Sequence, residues 1–413
     1  MATETAAPPN RTAASTRRRV AFAAIAALIA LKSASSQCHQ GLRGDDWAYL
    51  QWAREHPAWD AFLTTPPPYP FFRPLNALLW ELQGHWLGAS SWGLETALIL
   101  MWLAVCALLW SNVRARADPV AALVAVMLAV ATPELRDLPN WRSWLTTTGE
   151  LFGLLAALTL AAGSRPSMVR GVGILALLAV GAGFKEAAWW NGAWGLFALG
   201  ELPLAGIALA LFAVQAAVTT GLHTPGDIAL AHVPVNLPLV VHTLLGWRWP
   251  AGLAILALGT ADGRRVTGAR WVAAALAAVA PSLAFYLYNP YYILEAAVLL
   301  LVALVPGALA SARHAPVFGA LVAVGLAVAL TRDQAWDDYR ENVPYQAARE
   351  AAARALVRRA LDESAPQGVW APPDDPGACP LAAQILAYDH GVRLLPERPA
   401  AGRQLEDCLV IAE

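Results

Sequence analysis

Apolar runs close to the length of a bilayer crossing recur along the chain, separated mostly by short polar turns. Eleven such runs read as transmembrane helices, near residues 20–37, 91–110, 119–133, 145–162, 171–184, 187–200, 203–221, 250–261, 271–288, 291–310 and 315–331. The fifth, sixth and eighth are short, and the eighth has an alternative start near Leu237. The first run, within "TRRRVAFAAIAALIALKSASS", has the basic flank and apolar centre of a signal peptide. Its length and the many spans after it favour an uncleaved first helix.

Three polar segments are longer than turns. Residues 38–90 contain "GDDWAYLQWAREHPAWDAF", the pattern of an amphipathic helix lying in the interface, with Trp47, Leu50 and Trp59 as anchors. "TTPPPYPFFRPLNALLWEL" follows, where prolines interrupt one helix before another starts. The second segment is "TPELRDLPNWRSW", and the third, about 223–250, is rich in proline and reads as a partly re-entrant loop. Beyond Leu330 the periodicity becomes that of a soluble segment: a polar helix, then "GVWAP", "CPLAAQILAYDHG", "VRLLP" and "DCLVIAE" as strand, helix, strand, strand. The expected organisation is a cytoplasmic tail (1–19), a transmembrane domain (20–331, with its first outer loop at 38–90) and a small extracytoplasmic α/β domain (332–413).

Charge fixes the expected orientation. The turns assigned to one side hold Arg11, Arg17, Arg18, Arg19, Arg114, Arg116, Arg165, Arg170, Arg264, Arg265, Arg270 and Arg313. Basic residues are retained on the cytoplasmic side, so the N-terminus is inside and, after eleven spans, the C-terminus is outside. Composition agrees: 57% of residues are hydrophobic and 14% charged, against about 25% charged in soluble domains. The net charge of −1 gives no nucleic-acid signal. The Ala- and Arg-rich, Lys-poor usage is that of a GC-rich bacterial gene, and the setting an inner membrane. Of four cysteines, Cys379 and Cys408 share the C-terminal segment and either pair, if it is extracytoplasmic, or are two small buried residues.

Ionisable residues at membrane depth are costly and mark function or mutual pairing. Asp45 and Asp46 open the first loop; a solvated helix start accounts for them, and so does a general base, since adjacent like charges raise one pKa. Lys32 and Lys185 are the only lysines. Lys185, beside Glu186 in "GFKEAAWW", is either an ion-paired residue or a cation facing an anionic headgroup. Arg73, Arg136 and Arg142 fall on the same outer side, and the planar fork of arginine suits phosphate oxygens. The run "FYLYNPYY", with Tyr288, reads as an aromatic belt. His223, His232 and His242 have no metal-ligand order. Two adjacent carboxylates are able to hold Mg²⁺ or Mn²⁺, but no metal cluster accompanies them, and no cofactor is expected.

The order of these motifs resembles the GT-C glycosyltransferases, in particular the protein O-mannosyltransferase-like and aminoarabinose-transferase-like branch. "GDDWAYL" resembles the acidic motif of their first loop, and "FFRPLNALLW" their basic-Pro element, with Arg-Pro-Leu standing where basic-Pro-Pro is usual. "TPELRDLPNWRSWL", with Glu134, resembles their second outer loop, "FKEA" a Lys-Glu at the end of a middle helix, and "FYLYNP" a late Tyr-Leu-Tyr element. The resemblance covers about residues 20–310.

It implies an integral membrane enzyme that moves a sugar from a polyprenyl-phosphate donor to a glycan, lipid or protein acceptor on the extracytoplasmic face, with inversion. Asp45 or Asp46 would act as base, with Asp45 favoured. Arg73, Lys185, Arg136 and Arg142 would hold the donor phosphate, supported by Glu186, Glu134 and Tyr288. The alternative is a non-catalytic scaffold or a lipid flippase. A transporter predicts charges deep in the spans and repeat symmetry between halves, and the sequence shows neither.

Overall fold

The computed structural model of the protein describes scattered positions from Val20 to Asp60, then 72–87, 92–117, 119–132, 135, 138, 144–163, 165–220, 230–246, 265–284, 294–312, 348–349, 351–362, 366–371, 378–395, 398, 403–405 and 408–412. Asp45, Glu134, Arg136, Arg142 and Tyr288 lie outside the described residues. So do 247–264 and 313–347, where the eighth and eleventh spans were expected, and the side chain of Cys408.

The helices are α1 (Pro74–Leu87), α2 (Trp92–Arg114), α3 (Pro119–Ala131), α4 (Leu145–Gly163), α5 (Met168–Phe184), α6 (Ala187–Leu199), α7 (Leu202–Thr220), α8 (Val233–Gly246), α9 (Arg265–Ala284), α10 (Leu294–Ala312) and α11 (Cys379–His390). The first apolar run is helical where it is described and buries Ala26 and Ala30. Gly93–Arg114 and Leu145–Gly163 are long and apolar enough to cross a bilayer, and shorter apolar helices accompany them. Leu100, Val172, Leu202, Ile207, Val214 and Leu276 point outward and are exposed, as lipid-facing side chains are. One difference from the sequence reading falls in the third outer segment. Val233–Gly246 is a helix there, and Asn236 Nδ2 donates to Leu283 O near the end of α9 at 3.0 Å. Pro234 sits in the first turn, where its missing N–H is not needed, and Pro238 lies inside the helix, which covers the alternative start near Leu237.

Turn chemistry sets the helix ends. The Ser167 side chain accepts from Arg170 N and caps α5. Gly200, at φ +84°, ends α6 in the left-handed conformation. α6 touches α4, α5, α7, α9 and α10; it runs antiparallel to α5, with Gly181 at Ala188 and Leu178 at Gly192, and parallel to α4, with Glu150 at Asn191 and Leu158 at Gly195. Close approach of α4 and α5 depends on glycine: a Cβ on Gly153 would lie 2.6 Å from Gly181 Cα and 2.7 Å from Leu177 O. Gly149 and Gly153 form a G-x-x-x-G face, the spacing that lets backbones meet. Asn112 ties α2 to α4 through Leu155 O at 2.9 Å and Thr159 Oγ1 at 2.7 Å.

The two ends of the bundle differ. At one, Arg170 reaches Ala161 O and pairs with Glu201 at 2.6 Å, and Arg116 stacks over Trp271 with Cζ 5.2 Å from the ring centre. At the other, the first-loop residues and the C-terminal segment share one core: Tyr49, Leu50, Trp80, Leu94, Leu98, Leu145 and Phe184 pack with Leu356, Val357, Ala360, Val369, Ile385 and Leu386. The C-terminal sheet has the order β2-β1-β4-β3, from Pro366–Trp370 (β1), Arg393–Leu394 (β2), Arg403–Leu405 (β3) and Cys408–Ala412 (β4). β1 pairs parallel with β2 and antiparallel with β4, and α11 makes the crossover from β1 to β2. β3, which the sequence reading missed, pairs antiparallel with β4. Cys379, at the start of α11, is disulfide-bonded, whereas Cys106 is a free buried thiol.

Gly153→Ala is expected to destabilise the bundle by about 1–3 kcal/mol through forced separation of α4 and α5. Gly163→Ala, whose Cβ meets nothing within 4 Å, should leave the thermal midpoint in detergent unchanged or higher.

Candidate functional site

The break between α5 and α6 organises the end of the bundle that carries the first-loop residues. α5 stops at Phe184. Lys185 takes an extended conformation (φ −155°, ψ 124°), with its N–H on Gly181 O at 2.9 Å, and Glu186 returns to helical angles before α6. Because the chain reverses here, the two side chains point in different directions. Lys185 turns into the bundle, where Nζ lies 2.6 Å from Glu295 Oε1 in the first turn of α10 and 3.0 Å from Glu150 Oε2 on α4. Asn191 Nδ2, one turn into α6, donates to Glu150 Oε1 at 2.7 Å. All four residues are buried. Burial works against the Lys185 ammonium, but the two carboxylates outweigh it and raise its pKa above the ordinary lysine value.

Glu186 turns toward the first loop and meets Arg73. The pair is bidentate, with Nε to Oε2 at 3.0 Å and Nη2 to Oε1 at 3.2 Å. Burial raises the Glu186 pKa, yet the guanidinium more than compensates and holds the carboxyl below its usual value. Arg73 precedes α1 and its carbonyl accepts from Ala77 N at 3.0 Å. The same turn is held from α7, where Gln215 Nε2 donates to Phe72 O at 3.3 Å. Leu75 fits against Gly183, where a Cβ would fall 2.7 Å from its Cγ. The Phe-Arg-Pro-Leu element is thus clamped to the α5–α6 break.

The chain is helical again at Asp46, Tyr49, Leu50, Trp52 and Ala53, and these residues lie along α1. Tyr49 stacks on Trp80 with ring centres 5.2 Å apart and planes 13° apart. Ala53 Cβ approaches within 3.0 Å of the point a Cβ on Gly84 would occupy, and Tyr388 Oη of α11 comes within 2.6 Å of the same point. Tyr49 with Trp80 and Ala53 with Gly84 give the same sequence offset, so the two helices run parallel. That offset sets the fully buried Asp46 level with Ala77, about 6 Å along the axis from Arg73 at 1.5 Å per residue.

Of the residues singled out in the sequence, Asp46, Arg73, Lys185 and Glu186 meet at one end of the bundle. Lys185 takes the ion-paired arrangement, buried between two carboxylates. The sequence reading missed Glu150, Glu295, Asn191 and Gln215. A signal for two of them was available: Glu150 and Glu295 are carboxylates just inside apolar runs, where an unpaired charge is costly.

No family model matches the chain, and no curated protein matches it. Among solved structures it is similar to ArnT from Cupriavidus metallidurans, determined bound to undecaprenyl phosphate. The TM-score is 0.50 at 16% identity, over 90% of this chain and 75% of ArnT. At that identity the likeness is one of fold. The GT-C resemblance read from the motifs is borne out at this level, and the chain is an α-helical polytopic membrane protein of that architecture.

Lys185→Met should strand two buried carboxylates and cost about 3–5 kcal/mol, read as a lower thermal midpoint and lower membrane yield. Adding Glu150→Gln and Glu295→Gln should restore most of the loss, because no uncompensated charge then remains.

Proposed function

We propose that the protein is a membrane glycosyltransferase that moves a sugar from a polyprenyl-phosphate donor to an acceptor on the extracytoplasmic face. The observation that carries this reading is the register of the first-loop helix on α1, which sets the buried Asp46 about one turn along the axis from Arg73, within a GT-C-type fold. The fold neighbour was determined with undecaprenyl phosphate, which supports a lipid phosphate as the donor group. The bundle end with Arg114, Arg116, Arg165, Arg170 and Arg270 is read as cytoplasmic by the retention of basic residues. The Arg73 end, the first loop and the C-terminal segment then face outside.

In the proposed step an acceptor hydroxyl attacks the anomeric carbon as the bond from that carbon to the phosphate oxygen breaks. One carboxylate of the Asp45–Asp46 pair takes the hydroxyl proton, the configuration inverts, and polyprenyl phosphate leaves. Neighbours on a helix are about 100° apart, so one of the two faces the reacting centre. Asp45 is favoured as the base, with Asp46, buried against α1, holding that helix start in place. Arg73 takes the charge that develops on the leaving phosphate, and Glu186 fixes the plane of its guanidinium. Lys185, bound by Glu150 and Glu295, sets the position of the α5–α6 break and so of Glu186. Arg136 and Arg142 add further cations from the second outer loop, with Glu134 and Tyr288 in support. The activated lipid donor brings its own leaving group, so the step is written without a cofactor.

The test is sugar transfer in membranes supplied with undecaprenyl-phosphate sugars. Asp45→Asn with Asp46→Asn should lower transfer by about 100-fold or more at unchanged membrane level. Arg73→Ala should lower it by a similar factor. Full transfer by the double Asn variant would sink the reading and leave a scaffold.

A further inference from the structure

Asn76 and Trp80, four apart, lie on one face of α1, and Arg73, three before Asn76, stands just ahead of its first turn. Asn76 and Trp80 are both at 0% exposure, and neither Nδ2 and Oδ1 of Asn76 nor Nε1 of Trp80 has a hydrogen-bond partner among the described residues. The next polar position along the stripe, Gln83, is satisfied by the N–H of Leu94 at 3.1 Å. Buried polar groups are almost always paired, and those that are not ask for an explanation. Two neighbouring side chains on one face, with three unpaired atoms between them, point to a partner that is itself polar.

The atoms describe that partner. The Asn76 amide donates and accepts, and the Trp80 indole donates. A phosphate only accepts and a prenyl tail does neither. Hydroxyl groups do both, and a pair of neighbouring hydroxyls suits a carboxamide. The spacing agrees: Asn76 is about 4.5 Å and Trp80 about 10 Å beyond Arg73 along the axis. Asp46, level with Ala77, lies alongside the same stretch.

We infer that Asn76 and Trp80 form the subsite that recognises the sugar ring of the donor. The inference rests on the reading of Arg73 as the phosphate ligand. A pyranose attached to a phosphate at Arg73 meets the Asn76 amide first and then the Trp80 indole, with its anomeric carbon between Arg73 and the aspartate pair. In this structure the helix carrying Tyr49 closes the face, and the Tyr49 ring covers Trp80. Entry of a sugar lifts that helix from α1 and replaces the Tyr49 ring on Trp80 with the C–H face of the sugar. The same movement carries Asp46, so donor binding resets the acidic side of the site in the same event.

The experiment uses the full chain in nanodiscs and two probes: undecaprenyl phosphate, and a panel of undecaprenyl-phosphate pentoses and hexoses. The variants are Asn76→Leu, which replaces the amide with an apolar group of similar size, and Trp80→Phe, which keeps a ring for Tyr49 and removes the N–H. Both should bind undecaprenyl phosphate as the parent does. Both should bind the parent's preferred sugar-bearing probe at least about tenfold more weakly, with thermal midpoints at or above the parent's. Parental affinity for the sugar-bearing probes in both variants would overturn the subsite while leaving the phosphate reading intact. Equal loss of both probes with a lowered midpoint would also overturn it, by assigning the two residues to packing. A parent protein that ignores undecaprenyl phosphate would overturn the phosphate reading and the subsite together.

Discussion

One ammonium between two carboxylates, buried where four segments meet, is the interaction on which this end of the molecule depends. Glu150 comes from α4, Lys185 from the α5–α6 break, Asn191 from α6 and Glu295 from α10. In a low-dielectric setting the charges tolerate little displacement, because separating any one leaves another without compensation. The break is therefore held to one geometry. Since Glu186 is the next residue, its direction is fixed as well, and with it the Arg73 guanidinium and the start of α1. The apolar surface of the bundle gives cohesion, and the charged triad gives registration.

A second layer of constraint comes from small residues. Gly153 and Gly181 bring α4 and α5 to backbone contact, Gly183 admits Leu75, and Gly84 admits Ala53 and Tyr388. Each glycine lets an element carrying a candidate site residue come close to its neighbour. Precision at Arg73 and Asp46 thus arises from helices in direct contact, although both residues were read from sequence as parts of a long loop.

How much was legible in the sequence follows from the kind of signal each feature leaves. Apolar runs are strong periodic signals, so most of the helices fell where expected, and the strand–helix–strand order of the tail was readable from its alternation. Val233–Gly246 was read as loop because Pro234 and Pro238 were weighed as loop formers, although one falls in the first turn and the other is accommodated inside the helix. β3 is three residues long and exists through its pairing with β4, which local pattern does not record. Arg73, Lys185, Glu186 and Asp46 were found because charged residues are rare near a membrane. Their partners are a tertiary fact: nothing in "TTTGELFG" says that Glu150 meets a lysine 35 positions later. The unpaired state of Asn76 and Trp80 was likewise invisible, since a lone Asn in a helix reads the same whether or not it is satisfied.

The shared core of the first loop and the C-terminal segment has a consequence for the order in which the molecule is made. Tyr49, Leu50 and Trp80 leave the ribosome long before Leu356, Val369 and Leu386, with which they share a core. Contacts of such long sequence separation form late. Until those later residues have been delivered to the same side of the membrane, the loop stands with its aromatic face uncovered, a condition that invites chaperones or proteases. A nascent chain is thus unfinished at the place where chemistry is proposed until the segment that carries Leu356, Val369 and Leu386 arrives to seal it.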